Sequence, residues 1–279
     1  MMRNSLKMQN RHVVSHFIMV VWCFIVLFPL WVLLVNSFKT RLSIYENPFW
    51  IPKKWNFQNY VTVLQDGDFI NYFKNSLVVV LLSLLVMTTV SALAGYALAN
   101  WKSKVSRFFY FFLIAGMMLP IKIASIKLLE IMQFMHLLNT IWSLPPIYVA
   151  MGIPVGVFIL TEFIRQIPQE LTEAGIIDGA GRFRIFYLII VPLVKPALAT
   201  VSIYNLIPFW NDLWFPLIFI NEEKSKTLLL GVTRLFGQYQ TDWSKVLAVL
   251  TLSAIPVLFL YLLMSQQFIK GVTAGAVKG

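Results

Sequence analysis

Several apolar runs in this chain approach or exceed the roughly 20 residues that an α-helix needs to cross a bilayer, and no other property restricts the fold so strongly. Six spans fit best, at about residues 17–35, 77–99, 108–121, 141–164, 197–220 and 246–268. Hydrocarbon offers no partner to a backbone N–H or C=O, so segments of this kind must close their hydrogen bonds internally as helices. The expected fold is therefore all-α, a polytopic membrane helical bundle of about six transmembrane helices in one domain over residues 1–279. Composition agrees, with 58% hydrophobic and only 13% charged residues, where a soluble domain carries about 25% charged residues.

A net charge of +11 raises the question of nucleic acid. The basic residues are scattered through short loops instead of gathered on a face, so no nucleic-acid partner is expected. Lys and Arg in such loops orient a membrane protein. Cys23 is the single cysteine and lies inside an apolar run, so it has no partner for an internal disulfide. His12, His16 and His136 lack carboxylate or Cys neighbours at ligand spacing, and no metal site or catalytic set is expected. Arg3, Lys7 and Arg11 precede the first apolar run as in a signal peptide, but the run is too long and no A-x-A-like site follows, so it reads as a retained span.

Orientation follows from the connections. The N-terminal arm, the tight 101–107 loop with Lys102, Lys104 and Arg107, and the 165–184 loop are dense in basic residues. Segments 39–74 and 221–245 are longer and mix in Glu46, Asp66, Asp68, Glu222, Glu223 and Asp242. Counting positive charge places both termini in the cytoplasm of a multi-pass inner or plasma membrane protein. Residues 38–76 are too polar to span and read as an ordered external connection, with Trp50 and Trp55 in the interfacial belt. A helical pattern over 123–138, with Lys127 and Glu130 side by side, is expected at the outer surface.

The loop at about 166–192 is unusual in so apolar a chain. Pro168 suits a first helical position, Glu170 and Glu173 favour the helix dipole, and Leu171, Ala174 and Ile177 share one face. Gly179 and Gly181 can supply the positive φ that ends a helix. A second short helix from about Arg182 toward Pro192 completes a helix-turn-helix at the membrane surface.

The stretch Glu173-Ala-Gly-Ile-Ile-Asp-Gly-Ala-Gly181, followed by Ile190-Val-Pro-Leu193, resembles the coupling loop of ABC importer permeases, whose pattern is E-A-A, a Gly at fixed offset and Ile-x-x-Pro. Glu173, Ala174, Asp178, Gly179, Ala180, Pro192 and Pro196 fit; Gly175 departs, standing where the third residue is usually Ala, at a cost of roughly 1 kcal/mol in a helix interior. Asn75-Ser-Leu77, Ala94-Gly-Tyr-Ala97, Met118-Leu-Pro120, Leu138-Asn-Thr140, Trp210-Asn-Asp-Leu-Trp214 and Gly275-Ala-Val-Lys-Gly279 are similar to the carbohydrate branch, and the ending resembles the second permease of maltose-type importers. The resemblance implies a type I importer architecture and a set of partners: a second permease, an ATPase dimer, an extracellular solute-binding protein and a sugar substrate. It implies that Glu173, Ala174, Gly175, Asp178, Gly179 and Ala180 meet the ATPase, with a second contact through Gly275, Ala276 and Lys278. Four spans precede the loop, so parity puts it in the cytoplasm where an ATPase can reach it. No G-x-x-x-x-G-K-[ST] pattern is present, so ATP and Mg are expected on the partner ATPase and no cofactor on this chain.

Asn205, Trp210, Asn211, Asp212 and Trp214 are the candidate pathway residues. A carboxylate within a span must face a cavity, the bundle interior or the boundary, and aromatic faces beside amides and carboxylates suit sugar rings. Packing of Asn211 and Asp212 against a partner permease explains the same residues equally well. Glu162 and Arg165 read as an interfacial ion pair. An ion-coupled secondary transporter is the alternative function, with Asp212 as its one intramembrane carboxylate. A membrane enzyme finds no nucleophile–base pair or acid pair.

Overall fold

The structure is a computed structural model that describes the backbone at residues 2–65, 68–236 and 241–276 and the side chains at 14–65, 68–236 and 241–269. Among the described residues it is all-α apart from an isolated bridge between Phe236 and Thr241. In chain order the helices are α1 (Met2–Ser37), α2 (Arg41–Glu46), α3 (Gln58–Gln65), α4 (Asp68–Asn100), α5 (Lys104–Gly116), α6 (Ser125–Phe134), α7 (Pro145–Ile164), α8 (Gln169–Ile177), α9 (Arg182–Ile185), a π-helical stretch Phe186–Ile190, α10 (Val191–Leu193), α11 (Lys195–Trp210), α12 (Trp214–Phe219), α13 (Leu228–Val232) and α14 (Trp243–Ala276).

Four stretches are long and apolar enough to cross a membrane, Val14–Ser37, Asp68–Asn100, Ile141–Ile164 and Trp243–Ile269, and two bent pairs bring the total to as many as six among the described residues. The expected third span at 108–121 ends early. Its helix α5 stops at Gly116, and the chain turns by 84° into Ile121–Phe134. Thirteen residues rise only about 20 Å, short of a roughly 30 Å hydrocarbon core. The expected fifth span at 197–220 is likewise not continuous: α11 ends at Trp210, residues 211–213 break the helix, and α12 resumes at Trp214. A second bend of 74° separates Arg182–Leu193 from α11.

The chain divides into two compact units. The first holds residues 1–67 and 234–254. Here α1 is exposed on every side from Val14 to Trp31, as expected of an apolar helix whose surroundings are lipid. Its far end is fastened by a polar knot. Asn36 Nδ2 donates to Val32 O at 2.8 Å and Pro48 O at 2.6 Å, and Asn59 Nδ2 donates to Ser37 O and Lys39 O. Lys39 is 1% exposed and donates to Asn36 Oδ1 and Asn47 O; burial pulls its ammonium below the ordinary lysine value. Phe38 packs among Trp55, Phe57 and Tyr60. The 38–65 connection is thus ordered by hydrogen bonds that hydropathy does not register.

The second unit holds residues 68–233 and 255 onward. Its centre is the α4–α7 pair. Ser83, Met87, Ser91 and Gly95 recur at every fourth position of α4, and Gly152 and Gly156 form a small-xxx-small step on α7. A Cβ on Gly152 would lie 2.7 Å from Met87 Cγ, one on Gly156 2.5 Å from Ser91 Oγ, and one on Gly95 3.2 Å from Leu160 Cβ. Small residues let two backbones approach, which is how apolar helices gain packing energy when lipid is as apolar as they are.

Helix α4 begins nine residues before the expected Leu77, at Asp68. Its polar first turns are stabilised from a distance. Tyr72 Oη donates to Glu223, Asn75 Nδ2 donates to Lys224 O and Lys226 O, and Leu228 N donates to Ser76 Oγ at 2.8 Å. Gly231 faces the Tyr72 ring so closely that any Cβ would overlap it.

Candidate functional site

Two interruptions of the apolar helices carry the polar residues from which function was expected. The first is the 166–192 loop. Helix α8 starts at Gln169, with Pro168 at the N-cap and not at the first helical position (φ −55°, ψ 133°). Its end is a Schellman motif: Ala180 N–H donates to Gly175 O and Gly179 N–H to Ile176 O, both at 2.9 Å. Gly179 supplies the required φ of +75°. Gly181 does not; its φ is −69°, ordinary extended backbone at the N-cap of α9.

The second limb of the loop is the anchor. Ile185, Phe186 and Ile190 are buried, and the Phe186 ring lies 5.3 Å from that of Tyr96 on α4. Pro192 has no N–H to give to residue 188, and the helix widens before it, so that Val191 N–H reaches back five residues to Phe186 O. The first limb rests on this anchor through Gly175, the one buried residue of α8. A Cβ there would stand 3.0 Å from Ile189 Cδ1 and 3.2 Å from Ile185 Cγ1. The departure from the usual Ala is therefore a close-packing residue between the two limbs.

Apart from the half-buried Thr172, the rest of α8 is exposed. Glu173, Ala174, Asp178 and Gly179 are exposed, and Ala180 is half-buried. The face shared by Leu171, Ala174 and Ile177 is solvent-facing: Ile177 is 86% exposed, Ile176 62%, and Phe183 across the turn 76%. The outer side of α8 thus presents exposed apolar side chains with acidic residues beside them.

The second interruption is at 211–213. Asp212 caps α12, its carboxylate accepting from Trp214 N at 3.0 Å and Phe215 N at 3.3 Å. Tyr148 Oη, buried on α7 and stacked on Phe209 at 4.9 Å, donates to the same carboxylate at 2.9 Å. Trp214 Nε1 donates to Ser125 Oγ at 2.9 Å, and the Lys122 ammonium lies 5.4 Å above its ring. Asn205 is buried and donates back to Val201 O, while Trp210 is buried with its ring edge-on to Phe73. Asn211 is exposed. The structure brings Asp212 and Trp214 together in the helix break but places Asn205 and Trp210 in packed interior. The element that sequence reading missed is Tyr148, which has no charge to announce it and whose link to Asp212 spans 64 positions.

The Glu162–Arg165 ion pair is present at 2.6 Å. Glu162 also accepts from Tyr110 Oη at 2.6 Å, and the Arg165 guanidinium sits 4.7 Å above the Tyr110 ring. Lys127 and Glu130 pair at 2.8 Å on α6, as their spacing predicts. Of the expected tail contacts, Gly275 and Ala276 fall in the last helical turn of α14, and Lys278 lies outside the described residues.

Residues 88–273 match the family described as "Binding-protein-dependent transport system inner membrane component". An ABC transporter permease protein, ORF2 of Caldicellulosiruptor sp. (strain Rt8B.4), is 38% identical over 93% of this chain and 94% of its own length. The diacetylchitobiose uptake system permease protein NgcG of Streptomyces coelicolor is 30% identical over 95% of this chain and 88% of its own. In three dimensions the chain is similar to one from a bacterial ABC transporter involved in the import of the acidic polysaccharide alginate, with a TM-score of 0.80, 19% identity, and coverage of 93% of this chain and 97% of that one.

Proposed function

From the premise that the chain belongs to the binding-protein-dependent transport system inner membrane components, the permease subunits of ABC importers, we propose that it carries a sugar or oligosaccharide and takes its motion from a separate ATPase through α8. The family assignment displaces the ion-coupled carrier. The observation that carries the coupling role is the seating of α8: one glycine contact inward, and Glu173, Ile176 and Ile177 outward. A lever needs a contact with its own domain and a face open to its driver, and the Gly175 contact and the exposed outer side of α8 support that reading.

In this reading ATP and Mg bind the partner ATPase dimer, and a second permease completes the pathway. A binding protein delivers the sugar from outside, as the family description supports. The loops carrying Lys102, Lys104, Arg107, Arg182 and Arg184 face the cytoplasm together with both termini, in keeping with the bias of basic residues toward that side. Gly275, Ala276 and Lys278 make a second contact with the same ATPase. Closure of the ATPase dimer carries α8, and the permease pair changes its open side. Nucleotide and substrate are coupled because each favours a different one of the two states. A carbohydrate substrate is supported by a relative whose name specifies diacetylchitobiose.

The test is Glu173→Lys in the reconstituted transporter. Stimulation of ATP hydrolysis by the loaded binding protein should fall at least about tenfold, the loss of roughly 1.4 kcal/mol of coupling. Unchanged stimulation together with unchanged sugar uptake would sink the lever.

A further inference from the structure

The turn between α4 and α5 builds a third polar feature, apart from the loop and the helix break. A cavity of about 680 Å³ opens there, lined among others by Trp101, Lys102, Lys104, Arg107, Phe111 and Arg165. Arg165 is matched by Glu162. Lys102, Lys104 and Arg107 form no ion pair among the described residues, and no acidic side chain lines the cavity. Three uncompensated cations therefore converge on one space. Lys104 and Arg107 also stand in the first turns of α5, a 13-residue helix with no acid in its first turn. The N-terminal end of a helix is itself positive, so this arrangement disfavours cations and favours an anion.

The walls show what kind of anion fits. Trp101 is 68% exposed and directly follows the apolar stretch that ends at Asn100, and aromatic side chains at the ends of spans meet headgroups. On the same side of α5 as Phe111, Phe108 and Phe112 are exposed, one turn apart with ring centroids 6.1 Å from each other. A basic chamber thus continues into an apolar aromatic wall. Free phosphate satisfies the first part and leaves the second bare; an anionic phospholipid satisfies both, with its phosphate among the cations and its acyl chains along α5. Basic pockets between membrane helices bind lipid headgroups by this chemistry. We propose that the α4–α5 turn holds the headgroup of an anionic phospholipid. The inference rests on the membrane placement of α4 and α5 and not on the coupling role of α8.

The experiment uses the assembled transporter in neutral detergent, titrated with phosphatidylglycerol and read by native mass spectrometry. Wild type should retain phosphatidylglycerol well above phosphatidylcholine, and millimolar inorganic phosphate should not displace it. Each cation removed should weaken retention about fivefold, so Lys102→Gln, Lys104→Gln and Arg107→Gln together should cost about 100-fold, less at high salt. Lys104→Gln alone keeps the test readable if the triple variant does not assemble, and Lys104→Arg should match wild type. Equal retention by the triple variant, or equal binding of phosphatidylcholine, overturns the site. Displacement by inorganic phosphate makes it a free-anion site and overturns the lipid. Loss of the ATPase from the triple variant with lipid retention unchanged assigns the cations to protein docking and likewise overturns it.

Discussion

The 166–192 loop and the 211–213 break both interrupt apolar helices with polar residues, and they dispose of those residues in opposite ways. In the break, the Asp212 carboxylate accepts from two backbone N–H groups and from Tyr148 Oη, and Trp214 is tied to Ser125. In the loop, Glu173 and Asp178 stay exposed beside Ile176 and Ile177, while a glycine handles the internal contact. A polar residue in an apolar chain therefore marks a site only when its own fold leaves it unspent. By that measure the loop suits the partner role proposed for it, and the break is first a joint holding α7, α11 and α12.

The comparison breaks most visibly at Ile177. Ile177→Asp replaces an 86% exposed apolar side chain on the knob. It should reduce ATPase co-purification by tenfold or more, since one buried aliphatic anchor is worth about 1.5–3 kcal/mol, while thermal unfolding of the permease stays unchanged. A fall in unfolding temperature would mean that the knob serves the fold. Asp212→Ala comes next, with the opposite signature. Loss of a helix cap that is also bonded to a buried Tyr should destabilise by about 2 kcal/mol, read as a lower unfolding temperature, with ATPase co-purification intact. Undiminished stability alongside lost transport would return Asp212 to the pathway. Smallest is Gly175→Ala. Its methyl meets Ile189 Cδ1 at 3.0 Å, which opposes a helix-propensity gain of about 1 kcal/mol, so the net change should stay under about 1 kcal/mol. A scan of unfolding temperature with larger residues at 175 should then fall steeply.

The long spans were legible because twenty apolar residues in a row admit few alternatives. The break near Pro120 was legible as a short span followed by a separate helical pattern, but the full interruption at 211–213 was not. Pro208 and Pro216 sit among enough Leu, Ile, Phe and Trp that hydropathy averages across the 211–213 joint. The nine-residue extension of α4 was hidden for the converse reason: Tyr72, Asn75 and Ser76 look too wet for a buried helix until Glu223, Lys224, Lys226 and Leu228 arrive from about 150 positions away. The 166–192 loop was legible as a short helix-turn-helix, and Gly179 fell where its φ demands glycine. Gly175 read as a local penalty because its benefit lies in Ile185 and Ile189. The Gly152-x-x-x-Gly156 step, in plain view, signalled the α4–α7 contact and went unread beside the louder charges.

That contact restricts how the molecule can work. Meshed gear teeth with no backlash transmit a push but do not slip, and α4 and α7 leave no space for one methyl group at Gly152 or Gly156. Met87 and Ser91 fill the space over the two glycines. The α4–α7 pair is the closely meshed part of its unit, and the chain's changes of direction fall at its own interruptions, at 117–120, at Val194 and at 211–213.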